Sequence, residues 1–186
     1  MSGVDDILVL LERIGRTLHN DGHSEGLKPT QWEALRYFAR ANRFSRSPSA
    51  LTAYLGMTKG TVSQTMTALE RKGLIDKTTG AADRRHVQVE VTAKGRKLLK
   101  SDPLDGMAAA LSRLPAGHRR ELKNDLGEIL RMTLRQRDGH PFGACKTCRY
   151  FQKNAPGGAP HKCGLLLEPL STADGEMICV EQEEAA

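Results

Sequence analysis

Leu51-Thr52-Ala53-Tyr54-Leu55-Gly56-Met57-Thr58-Lys59-Gly60-Thr61-Val62-Ser63, running on to Leu69-Glu70-Arg71-Lys72-Gly73-Leu74-Ile75, is the stretch that decides the fold. A short helix over 50–55 stops at Gly56. Thr58 then caps a second helix whose apolar stripe, Val62, Met66 and Leu69, has helical spacing and whose run ends at Gly73. Two strand-like pieces follow, 74–79 and 86–91, joined by Gly80-Ala81-Ala82-Asp83-Arg84-Arg85. Val87, Val89 and Val91 alternate with Gln88 and Glu90, so one face of the second strand is buried. Helix, turn, helix and a hairpin with a basic tip is the layout of a winged helix-turn-helix.

Working outward, Pro29 suits the first turn of a helix that carries Trp32, Leu35 and Phe38, and residues 45–49 break the chain before the next one. Upstream, Val4, Ile7, Leu8, Leu11, Ile14 and Leu18 form a helical stripe widened by Val9 and Leu10, too apolar for a small domain to cover alone. Downstream, a helix from Thr92 towards Leu114 is interrupted around Pro103 and Gly106, and a last one over 118–137 lines up Leu122, Leu126, Ile129, Leu130 and Leu134. From Asp138 the composition changes to Gly- and Pro-containing loops holding all four cysteines. The expected fold is mainly α with a small β wing. It is a winged helix-turn-helix flanked by N- and C-terminal dimerisation helices over 1–137, with a loop-rich metal module over 138–186.

The net charge of +6 is concentrated. Residues 43–100 carry 12 Lys/Arg against 4 Asp/Glu, a local excess of +8, while the other segments are nearly balanced. Such density suits a phosphate-binding surface, although a solvated basic face has the same count. With Val62, Met66 and Leu69 inward, the outer face of the 58–73 helix shows Lys59, Gly60, Thr61, Ser63, Gln64 and Thr67. Short polar side chains at a helix N-terminus can approach both base edges and phosphates.

These pieces together resemble the MarR family of regulators. Leu27-Lys28-Pro29-Thr30-Gln31-Trp32, the 51–63 turn, the 69–75 helix end and Asp83-Arg84-Arg85-His86-Val87-Gln88-Val89-Glu90-Val91-Thr92-Ala93-Lys94-Gly95 occur in the family's order and span about 4–137. The resemblance implies a homodimer on double-stranded DNA with a palindromic operator, repression as the usual mode, and a small-molecule effector held between the dimerisation helices and the winged domain. It also implies that Arg85 enters the minor groove, with Asp83 orienting its guanidinium and Arg84 near the backbone.

The cysteines, Cys145, Cys148, Cys163 and Cys179, are spaced C-x2-C-x14-C-x15-C, with His161 a substitute ligand two residues before the third. Clustering of this kind in a reducing compartment favours metal ligation over disulfides. The long spacings, with Tyr150 and Phe151 after the first pair, look somewhat like high-potential iron–sulfur proteins, which implies a 4Fe–4S cluster. Aromatic residues are sparse around Cys163 and Cys179, however, and Zn²⁺ is the alternative. A cluster would make the chain a sensor of iron, redox state or oxygen, whereas zinc would make the module a structural clip on a regulator that answers to small ligands. No contact between module and reading head is visible in the sequence.

Other classes fare worse. There is no Gly-rich phosphate loop, metal-hydrolase pattern or nucleophile with its base, so an enzyme is not expected. An RNA- or protein-binding adaptor is disfavoured by an aromatic content of 4%. No apolar run approaches the roughly 18 residues of a membrane helix, and the acidic start is unlike a signal peptide, so a cytoplasmic protein is expected.

Overall fold

The computed structural model describes residues 2–79, 87–156 and 158–184. The first helix, α1 (Gly3–Asp21), opens on a capping box in which Ser2 Oγ accepts from the Asp5 N–H and Asp5 Oδ2 accepts from the Ser2 N–H at 2.8 Å. No residue of α1 is buried, so its apolar stripe faces outward.

The core begins with α2 (Pro29–Arg40), which buries Trp32, Leu35, Tyr37 and Phe38 against α3 (Pro48–Leu55) and α4 (Lys59–Arg71). Ser47 caps α3, and Thr58 caps α4 by accepting from the Thr61 N–H. Gly73, at φ 68°, turns the chain out of α4 through the left-handed region that a side chain disfavours. Strands β1 (Ile75–Thr79) and β2 (Val87–Val91) then pair antiparallel with Ile75 opposite Val91 and Thr79 opposite Val87. Val89 and Val91 point into the core as their alternation requires. Next comes α5 (Ala93–Leu98), packed so closely on Leu74, the residue before β1, that a Cβ on Gly95 would lie 2.3 Å from the Leu74 carbonyl oxygen.

The interruption expected at Pro103 is present. After α5 a single 3-10 turn, Leu99–Ser101, gives way to α6 (Asp105–Ser112) and α7 (Ala116–Arg135). Asp102 holds the break by accepting from the Leu104 N–H at 2.8 Å and pairing with Arg36 at 2.7 Å. Neither α6 nor α7 buries a residue, and Leu122, Leu126, Ile129 and Leu130 are exposed on α7.

The C-terminal region is not the set of loops expected. It holds β3 (Gly143–Ala144), β4 (Phe151–Lys153), β5 (His161–Cys163), β6 (Pro169–Leu170), α8 (Thr172–Glu176) and β7 (Ile178–Cys179). The middle three strands form one antiparallel sheet, and β3 pairs with β7. Strands of two or three residues are too short to write an alternating pattern, which explains why the sequence reads as coil. Among the described residues, no helix is long and apolar enough to cross a membrane.

Candidate nucleic-acid interface and cysteine pocket

Helix α4 divides cleanly into two faces. Val62, Thr65, Met66 and Leu69 are buried, Thr65 being a polar member outside the apolar stripe, and Lys59, Gly60, Thr61, Ser63, Gln64 and Thr67 are all exposed. The N-terminal turn is fixed by Thr58 Oγ1, which accepts from the Thr61 N–H at 3.2 Å and lies 2.9 Å from the Thr61 hydroxyl. Beside this turn a groove of about 370 Å³ runs between α3, α4 and the wing, lined by Ser49, Thr52, Lys59, Ser63 and Lys77. Exposed polar groups at a helix N-terminus, with an open groove alongside, can donate to phosphates and base edges together.

The basic segment is less free than its charge count implies. Arg43 pairs with Asp174 at 3.0 Å, Arg46 forks onto Glu90 at 2.6 and 2.8 Å, and Lys77 pairs with Glu70 at 2.7 Å. Two of those acids come from the wing strand and the C-terminal region, a neutralisation that a sequence count cannot foresee. Asp83, Arg84 and Arg85 lie outside the described residues.

The four cysteines are free thiols, and three of them share one buried cluster. Cys145, Cys163 and Cys179 are buried around Leu170, with Phe44 and Phe151 against them, and Cys148 is half-buried one turn from Cys145. Backbone and amide donors are aimed at the sulfurs: the Leu166 N–H to Cys163 Sγ at 3.5 Å and Asn42 Nδ2 to Cys145 Sγ at 3.9 Å. The neighbouring thiols of Cys145 and Cys179 pull each other's pKa apart, Cys145 being raised by Cys179 and by burial, and Cys179 lowered by Cys145, Asn42 and the Glu181 backbone against the opposing effect of burial. His161 stands beside Cys163 on β5, its ring 4.8 Å from that of Phe151 and its Nδ1 facing the Asn154 N–H at 3.4 Å. Among the described residues, no group of three or more His, Cys, Asp or Glu side chains is arranged to hold an ion. The expectation of an iron–sulfur or zinc centre thus meets gathered sulfurs but no coordination sphere.

The module also touches the reading head, contrary to the impression left by the sequence. Residues 41–47, between α2 and α3, carry the contact: Ala41 bridges Ile178, the Asn42 N–H donates to the Ile178 carbonyl at 2.9 Å, and the Val180 N–H donates to Ser45 Oγ at 2.8 Å.

Against known proteins, the sequence profile of the MarR family matches residues 25–86, which run from before α2 to the start of β2. Among solved structures, the chain is similar to S. aureus MepR in a complex with DNA (21% identity, TM-score 0.57, covering 71% of this chain and 98% of MepR). It is also similar to a MarR transcriptional regulator from Methanosarcina mazei Go1 (24%, TM-score 0.56, 71% and 96%). The regulator BldR from Sulfolobus solfataricus matches as well (25%, TM-score 0.53, 71% and 99%). At such identities these likenesses establish the fold. No curated protein matches the sequence. More than a quarter of the chain lies outside each structural match, so it adds a C-terminal region with short strands to the MarR-like fold.

Between that region and the MarR-like helices lies a cavity of about 380 Å³, walled by Arg36, Tyr37, Arg40, Tyr54, Leu130 and Phe142. Tyr37 and Tyr54 meet at a 40° tilt with ring centroids 4.6 Å apart, and Phe142 meets Tyr54 edge-on at 5.2 Å. Burial pushes the Tyr37 phenol well above its ordinary value, so it stays protonated and donates to the Ser45 carbonyl at 2.7 Å.

Proposed function

We propose that the chain is a DNA-binding transcription regulator, acting in the cytoplasm as a homodimer on a palindromic operator, with repression as its mode. The observation that carries this reading is the division of α4, whose exposed N-terminal face sits in the segment matched by the MarR-family profile with the opposite face locked into the core. Lys59, Gly60, Thr61, Ser63, Gln64 and Thr67 read the major groove and its phosphates, while Arg85, supported by Asp83 and flanked by Arg84, enters the minor groove. Dimerisation is supported by the unburied apolar faces of α1 and α7, where Val4, Leu8, Ile129 and Leu130 stand exposed in the single chain. Two reading heads would then meet half-sites about one helical turn, roughly 34 Å, apart.

Selection from random duplexes by the purified chain tests this. Enrichment of a palindrome with that spacing is the expected result, with Lys59→Ala reducing the salt slope of binding by about one. Enrichment of structured RNA alone, or of no nucleic acid, would sink the reading in favour of an adaptor.

The cysteine pocket supports a second element: a metal centre on Cys145, Cys148, Cys163 and Cys179, with His161 as substitute, that adjusts DNA affinity. Its support is a sulfur-only donor set with N–H groups directed at the sulfurs, an outer shell that suits thiolates bound to a soft metal. A 4Fe–4S cluster, which supplies a change of oxidation state, is the first choice and Zn²⁺ the alternative. Iron and acid-labile sulfide in anaerobically purified protein would establish the sensor form. One zinc per chain in a colourless sample would make the pocket a clip and move the search for an effector to the cavity lined by Tyr37, Tyr54 and Phe142. Metal-free protein would refute both.

A further inference from the structure

Two routes join helix α7 to the reading head. The first runs along the chain through α5, the break at 99–104 and α6. Neither α6 nor α7 buries a residue, so packing on the head does little to fix their direction. What pins the break is the half-buried pair of Arg36 with Asp102. Short segments between helices are where hinge rotation is absorbed. The second route is the C-terminal module. At the α7 end, the Gly139 N–H donates to the Leu134 carbonyl at 2.9 Å, and Gly139 lies so near the helix that an added Cβ would stand 2.9 Å from Leu134 Cδ2. The last strand region returns to the same helix, where Glu184 pairs with Arg131 at 2.8 Å. At the head end, Ala41 bridges Ile178, the Asn42 N–H donates to the Ile178 carbonyl, Ser45 Oγ accepts from the Val180 N–H, and Arg43 pairs with Asp174. Phe142, Ile178 and Val180 pack on the apolar core of the head, Phe142 meeting Tyr54 and Tyr37 edge-on at 5.2 and 6.3 Å. The Phe142 backbone is held at φ 51°, a left-handed conformation that a bulky residue keeps only where its surroundings fix it.

We infer that the module is a brace that fixes the angle between α7 and the reading head, and thereby sets the operator spacing that the homodimer accepts. The specificity-determining residues are Phe142 and Ile178, where the module seats on the head, and Arg131 with Glu184, where it grips α7. The inference rests on the DNA-reading and dimer proposals above and is independent of what the cysteines bind. Its basis is mechanical. With α1 and α7 at the subunit interface, each head is carried by its own α7, and rotation at the break swings α4 relative to the α4 of the other protomer. Moving one recognition helix about 3.4 Å along the duplex is one base-pair step, which also turns its half-site by about a tenth of a helical turn. A head held at the break alone has that freedom. Fastened a second time through the module, the head, the helices and the module close a three-sided frame. The swing then requires Phe142 to leave its seat or Glu184 to release Arg131.

The test uses the full-length chain. A nitroxide is attached through a ketone-bearing amino acid placed at Gln64, which leaves the cysteines untouched, and distances from α4 to α4 are read by pulsed electron spin resonance without DNA. Affinities of the unlabelled chain are read by anisotropy on duplexes that carry the selected half-sites with the spacer lengthened or shortened by one base pair. The wild type should give one narrow distance and favour the selected spacer by about tenfold, the scale of one defective base-pair position. The double variant Arg131→Ala/Phe142→Ala should broaden the distances and lose most of that preference, with the urea transition of Trp32 showing that the head is still folded. Glu184→Gln, a surface change, should act in the same direction to a smaller degree, and it decides the matter if the double variant loses its head. Wild-type distances and spacer preference in these variants would overturn the inference and leave the break to set the angle alone. A broad distribution in the wild type would overturn it too. Absence of any α4-to-α4 distance would refute the homodimer reading and the inference with it, whereas distances that broaden in the double variant of a chain that binds no DNA would sustain the brace and fault only the DNA reading.

Discussion

The two buried clusters of this chain are built on opposite economies. The winged-helix core packs Trp32, Leu35, Tyr37, Phe38, Leu51, Met66, Leu69 and Ile75 from three helices and the first wing strand, each nearly or wholly removed from water. The C-terminal cluster has three cysteines and Leu170, propped by two aromatics, with strands of two or three residues around it. Full burial of a large apolar side chain contributes about 1.5–3 kcal/mol, so the first region stands on packing alone. The second has too few such side chains and depends on its seat against residues 41–47.

The sharpest way to break this contrast is at Trp32. Trp32→Ala should lower the unfolding free energy by about 3–5 kcal/mol in urea titration, with the whole reading head melting in one transition. If the loss were under about 1 kcal/mol, the first region would not be the packing-held body described. Next, Leu170→Ala should cost about 2–5 kcal/mol, but locally. Protection should fall in β4–β6, while the transition followed by Trp32, the only tryptophan, moves little. A matching drop in the Trp32 transition would mean that the two regions unfold as one. Asp102→Asn should remove about 1.5–3 kcal/mol by breaking the half-buried pair with Arg36, read as a lower urea midpoint, since it ties α2 to the break before α6. Smallest is Thr58→Ala, at about 1 kcal/mol, which should fray the first turn of α4 in hydrogen exchange without touching the module.

The same contrast explains what could be read beforehand. Where apolar residues recur with a helical or strand period, as at Val62–Leu69 and Val87–Val91, element and inward face were both legible to within a residue or two. The break at Pro103 was legible because proline and glycine act locally. Nothing local marks Thr65 as buried, or Arg43 and Arg46 as paired with acids far along the chain. The cysteine region hid its strands because its inward residues are cysteines spaced for convergence rather than for alternation. Its contact with Asn42 joins residues 103 positions apart, a distance over which pattern carries no information.

Strand β7 gives the molecule a sequence in time. Ile178 lies between Ala144 of β3 and Ala41 of the reading head, Glu184 reaches back to Arg131 of α7 at 2.8 Å, and the Glu183 carbonyl receives the Arg149 N–H. These residues leave the ribosome after every other described part of the fold, and domains generally form from the N-terminal side as synthesis proceeds. The reading head can therefore be complete while Cys179, the last sulfur, is still to come. A nascent or clipped chain ending at Met177 would carry a finished α4 without the strand that fastens the module to it, so integrity of residues 178–184 separates a bare winged helix from one with its module seated.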